Sequence, residues 1–214
     1  MFKKLFGGKD SKYNFTIQEP TTDTCPYCGA KLDKIPTRKK KCPECGNYIF
    51  VRFGKLYTEE EKNIKDFLDR YTLQELGINR DDFNKTRQKL SEEFGAVASV
   101  NDTAWRLLNS INMNDKSYRD RRFIYTEMQQ ILISEGKNAK HIKFEIERMG
   151  LLEYKQEGVK RVEIKTCNDD HVCDQCKKLN GKVFDIDDAL REMPIPTMCE
   201  NDECRCWYSY LGYG

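Results

Sequence analysis

The spacing of hydrophobic residues divides the chain into a helical middle and two ends of a different pattern. Between residues 57 and 157, apolar side chains recur every three or four positions, which predicts amphipathic helices. Thr58 and Glu61 form an S/T-x-x-E capping box that starts the first helix, and Gly95 ends the second. The predicted inward positions of the first three helices are Ile64, Phe67, Leu68 and Tyr71, then Phe83, Leu90 and Phe94, then Trp105, Leu108 and Ile111.

Two further helices are predicted after a polar break. The longest runs from Ser117 to Glu135, with Gly136 as its stop signal, and a shorter one is capped by Asn138 and ends at Gly150. The predicted inward positions of the longer helix are Ile124, Met128, Ile131 and Leu132. The basic run at 119–122 and His141 are interpreted as solvent-facing helix positions, with a phosphate-binding patch as the alternative for the basic run.

Beyond residue 157 the period changes from helical to alternating. Val162, Ile164 and Thr166 alternate with polar residues, which predicts a strand. Gly181 is expected to turn the chain into a second strand over 182–184, and Asp185 is expected to cap a short helix. The C-terminal end is therefore predicted to be a small mixed module.

The N-terminal end carries two copies of a C-P-x-C-G motif, with thirteen residues between the cysteine pairs. Its four cysteines are Cys25, Cys28, Cys42 and Cys45. Such a turn directs two sulfurs at one centre, and Gly29 and Gly46 permit the left-handed conformation that closes it. The motif predicts a zinc ribbon whose ion is structural, because four thiolates leave no open position.

The C-terminal end carries a second, less regular set of cysteines. Its candidate ligands are Cys173, Cys176, Cys199, Cys204 and Cys206. A C-x-x-C pair supplies two sulfurs, and we favour Cys199 and Cys204 as the other two, with Cys206 as the main substitute. Cys167 is expected to be a small buried residue, and His171 is a weaker candidate ligand.

Together these patterns predict an α+β protein with a zinc ribbon, a central helical body and a small C-terminal β and zinc-knuckle module. The expected segments are a flexible basic tail over 1–20, the ribbon over 21–55, the helical domain over 56–157 and the C-terminal module over 158–214. Only 38% of residues are hydrophobic and 34% are charged, so each core is expected to be modest. Small modules of this kind commonly need a bound metal ion for stability.

Charge and cysteine content bear on the cellular compartment and on the chemistry of the cysteines. Residues 1–55 hold 12 Lys and Arg against 5 Asp and Glu, residues 56–166 hold 20 against 20, and residues 167–214 hold 5 against 10. The two cysteine-rich ends thus carry opposite charge. Because the chain has neither a membrane-spanning apolar run nor a secretory signal, we predict a cytoplasmic protein whose ten cysteines favour two zinc ions over disulfides.

Catalytic metal motifs are missing from the sequence. The two histidines, His141 and His171, are followed two positions later by Lys143 and Cys173, so the H-x-E of zinc deaminases is not present. An H-E-x-x-H motif is also missing, and two histidines are too few for a histidine-rich catalytic centre. We therefore predict that the protein is not an enzyme.

Several C-terminal motifs resemble a known family. The segments "YTE" at 125–127, "EGVKRVEIKT", "DDHVCDQCKKLNGKVF", "PIP" and the final "CRC" are similar, in order and spacing, to the C-terminal module of phage head-morphogenesis proteins, the minor capsid proteins related to the Mu F protein. The resemblance covers about residues 124–208. Family members commonly place a histidine and a proline before "CRC", so the resemblance implies that Cys199 replaces the histidine as ligand.

The whole chain, with its ribbon, its "NDTAW" helix and its "CRCWYSYL" end, is also similar to short bacterial zinc-ribbon proteins, a resemblance that implies no particular activity. The leading hypothesis is a non-enzymatic zinc-binding adaptor of bacterial or prophage origin with a protein partner. One alternative is a nucleic-acid-binding ribbon that uses Arg38, Lys39, Lys40 and Lys41, next to Tyr48 and Phe50. The other is a phage head-morphogenesis component.

Overall fold

The computed structural model describes residues 19–114 and 116–212. Residues 1–18 of the predicted basic tail lie outside this part of the chain. The described residues form an α+β structure, with helices and two small antiparallel sheets. Across 19–114 and 116–212, no helix combines the length and the apolar character that crossing a membrane requires.

The chain separates into two compact units, one up to Leu107 and one from Leu108 onward. The division falls within a helix over Val100–Asn112, so the residues predicted to form a central helical body belong partly to each unit. Each cysteine cluster lies in its own unit, which we describe separately.

The first unit begins with a three-stranded antiparallel sheet. Its strands are β1 (Lys40–Lys41), β2 (Tyr48–Arg52) and β3 (Lys55–Tyr57), in the order β1-β2-β3. Ile49 on β2 and Leu56 on β3 are almost completely buried, whereas alternate residues of β2 face outward. The sheet therefore has one packed face and one open face.

Four helices follow the sheet: α1 (Glu59–Leu68), α2 (Tyr71–Glu75), α3 (Arg80–Phe94) and α4 (Val100–Asn112). The predicted cap of α1 forms, since the Thr58 hydroxyl accepts a hydrogen bond from the N–H of Glu61 at 3.2 Å. The carboxylate of Glu61 instead accepts hydrogen bonds from Arg80, at 2.7 and 2.9 Å. It thus links α1 to α3.

Aromatic packing joins the helices of the first unit. The rings of Phe67 and Phe83 lie 5.9 Å apart, and both side chains are buried. Trp105, predicted as a core residue, is half-buried. The prediction that Phe94 points inward is wrong, because it is the last residue of α3 before the turn at Gly95 and its side chain is 56% exposed.

The second unit opens with two packed helices, α5 (Tyr118–Ser134) and α6 (Lys140–Gln156). The Ser117 hydroxyl caps α5 by accepting a hydrogen bond from the N–H of Asp120 at 3.1 Å. The four predicted inward residues of α5 are buried: Ile124, Met128, Ile131 and Leu132.

Helix α6 differs from its prediction in length. It has 17 residues, as many as α5, and it continues six residues past Gly150, where a stop was predicted. Gly150 is buried in the interior of α6 and faces the guanidinium of Arg122 on α5. The glycine therefore serves a close approach between helices and does not end one.

A second antiparallel sheet follows, with β4 (Arg161–Lys165) between β5 (Val183–Asp185) and β6 (Trp207–Tyr210). Both predicted strands are confirmed. Val162 and Ile164 on β4 are fully buried, while their neighbours along the strand are exposed or half-buried. The sheet packs on α6 through β6, among other contacts.

Three short helices connect the strands of the second unit: α7 (Asp174–Leu179), α8 (Ile186–Glu192) and α9 (Pro194–Thr197), which is irregular at Ile195. Asp185 occupies the N-cap position of α8, as predicted. Together with α6 and the sheet, these helices enclose a core that includes four cysteines, namely Cys176, Cys199, Cys204 and Cys206.

Candidate metal centres

The first cysteine cluster is built from two turns of the same geometry. In one turn the N–H of Gly29 donates to the carbonyl of Cys25 at 2.9 Å, and in the other the N–H of Gly46 donates to the carbonyl of Cys42 at 3.0 Å. The φ angles of the two glycines are +74° and +73°, in the left-handed region that favours glycine. The repeated sequence motif therefore produces a repeated structure.

The four sulfurs of this cluster lie within 4.8 Å of one another. Cys25 Sγ is 3.8 Å from Cys45 Sγ, and Cys28 Sγ is 3.9 Å from Cys42 Sγ. A tetrahedral ion with metal–sulfur bonds of about 2.3 Å separates its sulfur ligands by about 3.8 Å, whereas a disulfide bond is only about 2.05 Å long. The cluster can therefore hold one metal ion among four sulfurs.

Backbone and side-chain donors surround these sulfurs. The N–H of Cys45 donates to the sulfur of Cys42 and lowers the pKa of that thiol to about 7, while burial raises the pKa of Cys25 to about 12. The amide of Asn47 donates to Cys45 Sγ at 3.6 Å. Donors of this kind favour the thiolate form, which is the form that ligates metals.

The predicted basic residues lie on β1 and just before it. Lys39 and Lys41 place their ammonium groups over aromatic rings of β2, and Arg38 and Lys40 are exposed beside them. All four of these cations stand outside the cysteine cluster. The structure thus brings two of the predicted basic residues, Lys39 and Lys41, together with Tyr48 and Phe50, whereas Lys40 pairs with the buried Ile49 on the other face of the sheet.

The candidate ligands of the second cysteine cluster come from three segments of the second unit. Cys173 is the N-cap residue of α7 and Cys176 lies one turn into that helix. Cys199 follows α9, and Cys204 and Cys206 precede β6. The sheet and α6 place these segments side by side. Cysteines that are far apart in the sequence therefore lie close together in the structure.

The five sulfurs of this cluster form two groups of three. Cys173, Cys176 and Cys199 make one group, and Cys176, Cys204 and Cys206 make the other, with all distances within each group at most 4.8 Å. Cys173 Sγ and Cys199 Sγ are 3.8 Å apart, which matches a tetrahedral edge of about 3.8 Å. Cys176 belongs to both groups, so it is the central sulfur of the cluster.

Burial and neighbouring thiols change the acidity of these cysteines. A hydrogen bond from the Cys206 thiol lowers the pKa of Cys204 to about 6, and the same interaction raises the pKa of Cys206. Burial raises the pKa of Cys199 to about 11. A bound cation would favour the thiolate form of all the sulfurs that contact it, so metal binding here is coupled to proton release.

Polar contacts position the two loops that carry the candidate ligands. The amide of Asn201 donates to the carbonyl of His171 at 2.6 Å, and Arg205 forms an ion pair with Asp169. The ammonium of Lys140 on α6 donates to the carbonyl of Cys199 at 2.5 Å. No sequence pattern predicts these contacts, because the two residues of each pair are at least 30 positions apart.

Cys167 and His171, the two other residues considered near this cluster, both lie at the surface. Cys167 is exposed, against expectation, because it follows the end of β4, where its thiol donates to the carbonyl of Arg205 at 3.5 Å. His171 is exposed too, and it lines an open cleft of about 470 Å³ next to Cys173. The residue groups able to hold a metal within 19–114 and 116–212 contain neither Cys167 nor His171.

All ten cysteines lie in the described residues as free thiols. Nine of them belong to the two clusters, which could each hold metal. Comparisons with protein-family models, with curated proteins and with solved structures find no match to this chain. The resemblance to phage head-morphogenesis proteins accordingly stays a prediction.

Proposed function

We propose that the protein binds two zinc ions, one in each cysteine cluster, and that these ions stabilise two small modules that recognise other molecules. The observation that carries this proposal is the sulfur geometry, with separations of 3.8 and 3.9 Å across the first cluster and 3.8 Å in the second. Zinc is the ion proposed because it accepts four thiolates in a tetrahedron.

The first module is proposed to be a zinc ribbon. Two matched cysteine turns next to a three-stranded sheet support this assignment. The buried core of this sheet is small, with Cys25, Cys42, Ile49 and Leu56 as its fully buried members. Structural zinc contributes about 10 to 16 kcal/mol of binding free energy in small domains, so the ion can stabilise a sheet with so little core.

A role in recognition is proposed in preference to catalysis. When protein sulfurs fill all four positions around an ion, neither water nor substrate can bind to it. The two ends of the chain also differ in charge, with an excess of 7 positive charges over residues 1–55 and of 5 negative charges over 167–214. An adaptor with two surfaces of opposite charge can bind two different partners. A reducing compartment such as the cytoplasm would keep the thiols available.

Metal analysis tests the proposal. The full-length chain, purified under reducing conditions, is expected to contain two zinc ions, and Cys42→Ser and Cys176→Ser are each expected to contain one. Cys167→Ser is the matched control and should retain two, because Cys167 belongs to neither cluster. Replacement of zinc by cobalt should give the intense thiolate-to-metal absorption of sulfur-rich tetrahedral sites. A wild-type content far below two ions would contradict the proposal.

Recognition needs its own measurement. Wild-type protein and the two cysteine variants can each be used to capture partners from the source organism, with nuclease treatment in parallel. A partner that requires one zinc module is expected to be lost with the matching variant and kept with the other. Captured material that is the same for all three proteins would contradict recognition by the zinc modules.

A further inference from the structure

The open face of the first sheet presents aromatic rings and cations together. We define the aromatic–basic face as Lys39, Lys41, Tyr48 and Phe50. Tyr48 and Phe50 are two residues apart on β2, so their side chains share one face, and Lys41 on β1 pairs with Tyr48 in the strand register. The side chain of Tyr48 is 47% exposed, and Phe50 is half-buried.

The two lysines are held close to the rings. Lys39 Nζ is 4.5 Å from the ring centroid of Tyr48 and 4.8 Å from that of Phe50, and Lys41 Nζ is 5.2 Å from that of Tyr48. These are cation–π distances, which keep the ammonium groups at the surface of the rings. A ligand that reaches the rings therefore meets positive charge at the same place.

The positive charge of this surface is not neutralised by acidic side chains. Within the described ranges, Arg38, Lys39, Lys40 and Lys41 form no ion pair. Arg52, on the same strand as the two rings, differs because it makes two hydrogen bonds to Asp66 at 3.0 Å. The cations near Tyr48 are thus available to an anionic ligand.

We infer that the aromatic–basic face binds single-stranded nucleic acid, with Tyr48 as a base-stacking platform, Phe50 at its edge, and Lys39 and Lys41 on the phosphates. The inference rests on the proposed function, because the cysteine cluster holds β1 and β2 in position. Charge complementarity identifies the ligand as a polyanion, and the exposed ring adds a preference for a planar base.

A single strand fits this face better than a duplex does. Stacking on Tyr48 needs a base whose flat face is free, and the bases of a duplex are already stacked on one another. An acidic peptide offers the charge but no planar group for the ring. Binding that depends on both the lysines and the ring therefore distinguishes single-stranded nucleic acid from the other polyanions.

Fluorescence anisotropy of labelled twelve-nucleotide strands tests the inference with the full-length, zinc-loaded protein. The probes are single-stranded DNA, single-stranded RNA, the DNA duplex and a polyglutamate peptide of matched charge. We expect Kd values of about 1 to 100 µM for the single strands at 50 mM salt and weaker binding of the duplex and the peptide. Comparison of the Kd values for single-stranded DNA and single-stranded RNA shows whether the sugar contributes to binding.

Variants separate the contributions of charge and stacking. Lys39→Gln and Lys41→Gln are each expected to reduce the slope of log K against log salt by about 0.7, the value for one phosphate contact on a single strand. Tyr48→Ala is expected to weaken binding by about 5- to 100-fold, the effect of losing one stacked base, and Tyr48→Phe should keep it. Lys85→Gln, on α3 and exposed, is the matched control and should leave the binding unchanged.

Zinc content measured on the same samples separates this inference from the proposed function. Two zinc ions without binding of the single strands would overturn the inference alone, whereas missing zinc would overturn the proposed function. Equal affinity for duplex, peptide and single strand would also overturn the inference. The same is true if Tyr48→Ala binds as tightly as the wild type, because the face would then act through charge only.

Discussion

The guanidinium of Arg122 on α5 lies 3.4 Å from the position that a Cβ atom on Gly150 of α6 would occupy. Arg122 also reaches Glu153, one turn further along α6, at 3.7 Å. The missing side chain of Gly150 thus leaves room for an arginine that links the two helices. The contact leaves space for a methyl group on residue 150 but not for a large side chain.

Gly150→Ala is expected to stabilise the second unit slightly. Alanine is favoured over glycine inside a helix by about 1 kcal/mol, and 3.4 Å is an ordinary contact that the end of a flexible arginine can accept. We expect a gain of about 0.5 to 1 kcal/mol, seen as a higher thermal midpoint by circular dichroism. Gly150→Leu should lower the midpoint, because its side chain would displace Arg122.

Gly136→Ala is a suitable comparison for this prediction. Gly136 has a φ of +67°, so alanine there is strained although no atom lies within 4 Å of the added Cβ. The same substitution should therefore lower the thermal midpoint at Gly136 and raise it at Gly150. A lower midpoint for both variants would show that Arg122 does not accept a Cβ atom at Gly150, against the prediction.

Gly150 also illustrates the limits of prediction from sequence. Helices α5 and α6 and strand β4 of the second unit follow from periodicity, and the two cysteine turns follow from a local motif, because all of these depend on near neighbours in the chain. A glycine within a helical pattern can be a stop or a site of close approach, and only the neighbour on α5 distinguishes the two. Phe94 is similar, since its exposure depends on where the chain goes after α3.

The second cysteine cluster shows the same limit. The C-x-x-C pair is a local signal, but Cys199, Cys204 and Cys206 come close to it only through the sheet and α6. Spacing identified the five candidate residues and favoured Cys199 and Cys204 over Cys206, but it did not indicate which sulfur is shared between the two groups. The central position of Cys176 is a property of the folded chain.

The ion pair between Arg52 and Asp66 connects β2 to α1 and should contribute a pH-dependent part of the stability. Hydrogen bonds from Arg52 lower the pKa of Asp66 below its ordinary value of 3.8. As the pH falls, Asp66 therefore becomes protonated in the unfolded chain before it does so in the folded chain. The contribution is complete above a pH of about 4 and is lost as the pH falls through the lowered pKa.

Asp66→Asn tests this contribution at neutral pH. Both partners are more than one-third exposed, so solvent screening limits the expected loss to about 1 kcal/mol or less, and added salt should reduce it further. The thermal midpoint of the first unit, measured at pH 7 in low and high salt, checks this. Equal midpoints for the two proteins in low salt would show that the pair contributes nothing.

Chelators are expected to remove the two metal ions at different rates. In the first cluster Cys28 is exposed and Cys45 half-buried, whereas Cys173 is the one ligand candidate of the second cluster that is not fully buried. A chelator needs contact with the ion, so the first cluster should lose its zinc at least about 10-fold faster. Stopped-flow release into a coloured chelator measures both rates.

Single-site variants assign the two phases of zinc release. Cys176→Ser should keep only the fast phase and Cys42→Ser only the slow one. If Cys42→Ser, which keeps the second cluster, loses zinc as fast as Cys176→Ser, which keeps the first, then burial of the sulfurs does not control the rate of release. Cys167→Ser, which alters neither cluster, should show both phases unchanged.

The second cluster contains one sulfur more than a tetrahedral ion needs, and this predicts that Cys204 and Cys206 can replace each other. Both are buried and both lie within 4.8 Å of Cys176, which also belongs to the group with Cys173 and Cys199. Either one can therefore supply the fourth sulfur. Cys204→Ser and Cys206→Ser should each keep two zinc ions per chain, with a modest loss of affinity.

The double variant of Cys204 and Cys206 leaves only three sulfurs in the second cluster, so it should lose the second ion. Cys176→Ser leaves four sulfurs but removes the one that belongs to both groups, so it should lose the ion as well. Native mass spectrometry counts the ions on each intact chain. Loss of zinc from only one of the two single variants would identify that residue as the sole fourth ligand. Three ions on the wild-type chain would show instead that the two groups of sulfurs bind separate ions that share Cys176.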